Sequence, residues 1–96
     1  MSNIICIGAH PDDVELSMGG SVLRLLDAGH DVTILDISDG EPTPHGTIEI
    51  RKVERTKAAE MLGVNRITLD LRNRYIEETV ENRVKLAEVF RQVRPN

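Results

Sequence analysis

Ninety-six residues make one small domain or a piece of one, and a chain of this size buries only about two-thirds of its unfolded surface. The composition, 40% hydrophobic and 29% charged, is that of a soluble protein, and no apolar run approaches the roughly 18 residues a membrane span needs. A net charge of −4, with Tyr75 and Phe90 the only aromatics, supplies neither a basic face nor a stacking platform and argues against nucleic acid. Cys6 stands alone, which excludes an internal disulfide and marks it as a small buried hydrophobe. With no charged-then-apolar leader, the cytoplasm is the expected compartment and no membrane partner is expected.

The chain opens with "NIICIG" (Asn3–Gly8), a β-branched run without alternation, as a strand covered on both faces requires. Val14 to Ala28 reads as a helix, with Met18, Val22, Leu25 and Leu26 on one face and Gly29 as its stop. "HDVTILDIS" is a second apolar strand, followed by the glycine- and proline-rich loop "DGEPTPHGT". Thr47 can cap a helix over Ile48 to Leu62, ended by Gly63. "RITLDL" is a third strand. Thr79 caps a third helix on which Val80, Val84, Ala87, Phe90 and Val93 fall at helical spacing. The order β-α-β-α-β-α calls for a parallel, right-handed, Rossmann-like α/β sheet. Three strands make it thin, so residues 1–96 are expected to be the N-terminal portion of a larger single domain.

"AHPDD" follows the first strand, at the end of the sheet where doubly wound folds bind ligands. His10 offers an imidazole and Asp13 a carboxylate three residues on, and both can reach one ion if the turn curls. That donor pair suits zinc or ferrous iron better than magnesium. Asp12, beside them, can take a proton from a metal-bound water, whose pKa falls to about 7. The plainer alternative is that the acidic pair only caps a helix and offsets its dipole. Glu15 is explained equally well by first-turn dipole compensation. Gly19 and Gly20 are costly inside a helix, and close helix–sheet packing is the expected reason for them.

"GAHPDDVELSMGG" resembles the opening motif of the LmbE-like, or PIG-L, family of zinc-dependent deacetylases of N-acetylglucosamine-containing compounds. "LDISDGE", "HGTIEIRKVERTKAAEMLGV" and "RITLDLRNRYI" are similar to its next segments, and the likeness is greatest to the bacterial branch that deacetylates N-acetylglucosaminyl malate in bacillithiol biosynthesis. The resemblance implies that His10 and Asp13 bind zinc, that Asp12 is the general base, and that Arg51 contacts substrate. Its forked donors suit sugar hydroxyls or a carboxylate, although a solvated helix arginine is the alternative. His45 stands where that branch has asparagine, and is either a substrate contact or a loop histidine. The resemblance also implies a third zinc ligand, a histidine in a later H-x-x-H element, expected beyond Asn96. The partner implied is a small amino-sugar substrate, and a homo-oligomer is expected for the parent protein.

Two rivals remain at this point. A receiver-type phosphoaccepting module also places an acidic pair after its first strand, and would use Asp70 at the end of the third with magnesium. A non-catalytic metal- or sugar-binding remnant is the other.

Overall fold

The computed structural model describes residues 2–11, 13–38, 48–71 and 76–96. Six elements alternate: β1 (Asn3–Gly8), α1 (Asp13–Asp27), β2 (Asp31–Ser38), α2 (Ile48–Leu62), β3 (Asn65–Leu71) and α3 (Val80–Val93). The strands form one parallel sheet in the order β1-β2-β3. This is the α/β arrangement that the apolar runs and helical periodicities require. The expected cap Thr47 and the loop residues Asp39, Glu41 and His45 lie outside the described residues, as does Asp12.

Central β2 is buried almost throughout, which is why its apolar run lacks alternation. Val32 and Ile34 join Cys6, Val14 and Val22 in the core, with Met18, Leu25 and Leu26 of α1 packed against them. Burial pushes the Cys6 thiol pKa up, as its position in the core demands. The helix ends follow their glycines. Gly29 and Gly63 adopt φ of 90° and 75°, a region open to glycine, and the N–H of Gly63 closes the last turn of α2 on the carbonyl of Ala59. At α3 the Thr79 hydroxyl accepts from the N–H of Asn82 at 3.0 Å, the expected cap.

Two expectations need correcting. Among the described residues Gly19 and Gly20 mark no close helix–sheet approach: a Cβ on either would meet nothing within 4 Å. They follow a break in α1 at Met18, whose φ and ψ of −144° and 24° leave the helical region, and two poor helix formers lower the cost of that break. The apolar stripe of α3 is also rotated from the one the spacing suggests. Leu86, Val89 and Val93 turn inward, whereas Val80, Val84 and Phe90 are exposed. The helix is apolar on two sides, so periodicity alone does not select the covered one.

Candidate metal centre

Strand β1 ends at Gly8, and the next residues turn into α1. Hydrogen bonds among the described residues shape that turn. The N–H of Ser38, at the end of β2, donates to the carbonyl of Ala9 at 2.9 Å. The N–H of His10 donates to Asp13 Oδ2 at 2.9 Å, and the N–H of Asp13 donates back to the carbonyl of His10 at 3.2 Å. The turn therefore curls. His10 Nδ1 stands 3.6 Å from Asp13 Oδ2, with the two side chains 39% and 46% exposed. An imidazole and a carboxylate face one another at the carboxyl end of the sheet and are open to solvent. Space as well as bonding fixes the approach. A Cβ on Gly8 would stand 3.0 Å from Asp13 Cβ and 3.1 Å from Val14 Cγ2, tighter than ordinary contact, so glycine lets α1 start this close to the strand without a shift.

Beneath the turn lies a charged network that periodicity does not reveal. Asp36 on β2 is register partner to Gly8 on one side and to Thr68 on the other. Its carboxylate is fully buried. It accepts from Arg66 Nε at 2.7 Å, from Arg66 Nη2 at 2.9 Å and from the Thr68 hydroxyl at 3.0 Å. Arg66 donates in turn to both carboxylate oxygens of Glu15, at 3.0 and 3.2 Å. Glu15 is thus an anchor to β3 as well as a first-turn acid. Burial alone would lower the Arg66 pKa, but the hydrogen bonds and charges of Asp36 and Glu15 outweigh it and the net shift is upward. One signal in the sequence hints at this: an acid inside the apolar run "TILDIS" and an arginine opening "RITLDL".

Arg51 lies on α2, which starts at the same end of the sheet as the ligand pair. Its Nε is buried and finds no acceptor among the described residues. His30 lies at the other end, where its Nδ1 accepts from the N–H of Ser2 at 3.0 Å. A cleft of about 470 Å³ opens at that amino end too, lined by Asn3, Asp31, Thr33 and Asn65, and it includes neither His10 nor Asp13. Asp70 does not join the pair. Its exposed carboxylate is bound by Lys85 Nζ of α3 at 3.0 Å.

The donors present fit zinc in kind, one imidazole and one carboxylate, but a catalytic zinc needs about three protein ligands and an open position. Among the described residues no group of three or more His, Cys, Asp or Glu side chains gathers to hold a metal.

An imidazole and an acid on a curled turn at the carboxyl end of a parallel sheet define a candidate metal site on a Rossmann-like scaffold. The chain matches the family described as PIG-L: GlcNAc-PI de-N-acetylase over residues 5–96, and it belongs to that family. It is similar to the diacetylchitobiose deacetylase of Thermococcus kodakarensis, 34% identical over 99% of this chain and 39% of the relative. Among solved structures it superimposes on the conserved protein TT1542 from Thermus thermophilus with a TM-score of 0.89 and 35% identity, covering 99% of this chain and 44% of that one. The N,N'-diacetylchitobiose deacetylase of Pyrococcus horikoshii, solved with an inhibitor, matches with a TM-score of 0.85 and 29% identity, over 98% and 39% of the two chains. The chain thus spans less than half the length of these relatives.

Proposed function

We propose that the protein carrying this chain is a zinc-dependent N-deacetylase, an amide hydrolase that removes the acetyl group from an N-acetylglucosamine-type small molecule. The supporting observation is the His10–Asp13 pair, held face to face by the curled turn, in a chain whose relatives include diacetylchitobiose deacetylases. Residues 1–96 form the N-terminal portion of one such domain, with the third ligand supplied from beyond Asn96.

His10 and Asp13 would hold the metal. Bound there, zinc would supply polarisation of the acetyl carbonyl and a water whose pKa is lowered to about 7. Asp12 is the general base: it removes a proton from the attacking water and can return it to the departing amine. Water adds to the carbonyl carbon, the C–N bond breaks, and acetate and a free amino sugar leave. Arg51, whose buried Nε has no acceptor among the described residues, binds the substrate through sugar hydroxyls or a carboxylate. His45 is a second substrate contact. The N-acetylglucosaminyl malate branch is the finest substrate reading, and a malate-like acid would give the Arg51 guanidinium a bidentate partner. The cytoplasm is the compartment and a homo-oligomer the assembly of this reading.

Metal analysis and turnover of the full-length protein provide the test. Zinc should co-purify with the protein and be lost in His10→Ala. Asp12→Asn should keep its zinc while deacetylation falls about 100- to 10,000-fold. A full-length protein without metal, or normal turnover in Asp12→Asn, overturns the reading.

A further inference from the structure

The Arg66 network ties three elements together directly below the ligand turn. Its parts reach that turn from both ends. Asp36 is the register partner of Gly8, which precedes Ala9 and His10, and Glu15 follows Asp13 within the first turn of α1. Every donor-bearing nitrogen of the Arg66 guanidinium is bonded to a carboxylate, and the side chain is only 6% exposed. Glu15 and Asp36 are 17% and 0% exposed. Two acids share one base, so the cluster holds one carboxylate more than it neutralises. In a poorly solvated setting such an excess is costly unless positive charge lies nearby.

We infer that Glu15, Arg66 and Asp36 are positioning residues for the metal site: they fix the start of α1 so that Asp13 faces His10, and their excess negative charge raises the affinity for a divalent cation. The inference rests on the metal-site reading above. Rigid fixation follows from geometry, since a fork bonded to two carboxylates on α1 and β2 allows neither element to slide along β3. Charge attraction acts through a medium of lower dielectric than water, where it weakens slowly with distance. A ligand pair that is itself about two-fifths exposed gains its order from this layer beneath it.

Glu15→Gln in the full-length protein separates the charge and its fork from the rest of the helix. Folding is followed by far-ultraviolet circular dichroism and thermal unfolding, zinc affinity by competition with a chromophoric chelator, and ligand geometry by the absorption bands of the cobalt-substituted protein. The expected result is a folded variant whose zinc affinity falls about 10- to 100-fold, with shifted cobalt bands. A folded variant with affinity within threefold of the parent and unchanged bands overturns the inference. Should Glu15→Gln fail to fold, Glu15→Asp decides by the same readouts and threshold, because it keeps the negative charge but draws the carboxylate back from the Arg66 fork. A parent protein that binds no zinc defeats the metal-site reading itself. Zinc bound equally by parent and variant defeats only the positioning role.

Discussion

Strand β3 is tied to a helix at two places, and the two ties are built differently. Arg66 reaches Glu15 of α1 and Asp36 of β2 through four bonds of 2.7 to 3.2 Å, in a cluster that is almost wholly buried. Asp70, near the other end of the same strand, meets Lys85 of α3 through one bond of 3.0 Å, and its carboxylate is 82% exposed. Water competes for the second pair and is excluded from the first. A buried fork constrains position; an exposed pair constrains little. The tie that holds the helix bearing Asp13 is therefore the more constraining of the two. On α3, Val80, Val84 and Phe90 remain exposed among the described residues.

Arg66→Ala presses hardest on this contrast. Removing the arginine leaves the buried Asp36 and the largely buried Glu15 without their shared cation, and the expected loss is about 3–5 kcal/mol of stability in urea unfolding. A loss no larger than that of an exposed substitution would erase the difference between the ties. Gly8→Ala carries the contrast from charge to space. The added methyl at 3.0 Å from Asp13 Cβ must push α1 outward, at an expected cost of about 1–3 kcal/mol, whereas the same change at Gly19 meets open space. Equal effects at the two glycines would contradict the close start of α1.

The exposed tie has the smallest expected consequence. The hydrogen bond from Lys85, then its charge, holds the Asp70 pKa below the usual aspartate range, and the hydrogen bond to Asp70 raises that of Lys85 against a smaller effect of burial. A lowered carboxylate pKa means that the pair's contribution is present above the unfolded pKa and fades as pH falls through the folded one. Carboxyl NMR titration should place the Asp70 midpoint below the ordinary value and return it there in Lys85→Met, with little change in thermal unfolding at neutral pH. No movement of the midpoint would mean that the pair does not form in solution.

Much of this architecture is legible in the residues. Strand runs, helix spans, the stops at Gly29 and Gly63 and the cap at Thr79 depend on local chemistry, and local chemistry is what a sequence displays. The proximity of His10 and Asp13 is legible for the same reason, since both belong to one turn. Arg66 is different. Its partners lie on another strand and another helix, and only the parallel register that sets Gly8, Asp36 and Thr68 in one row brings them together. Glu15 looks like dipole compensation until that row is known. The covered face of α3 escapes for a related reason, because two apolar faces on one helix are separated only by what packs against them.

The break at Met18 has a consequence for how this molecule tolerates change. It divides α1 into a short leading piece, gripped through Glu15, and a longer trailing piece whose Val22, Leu25 and Leu26 are embedded in the hydrophobic layer. The leading piece adds only Val14 to that layer, so interior substitutions around Val22, Leu25 and Leu26 meet the trailing piece first, and the joint separates them from Asp13.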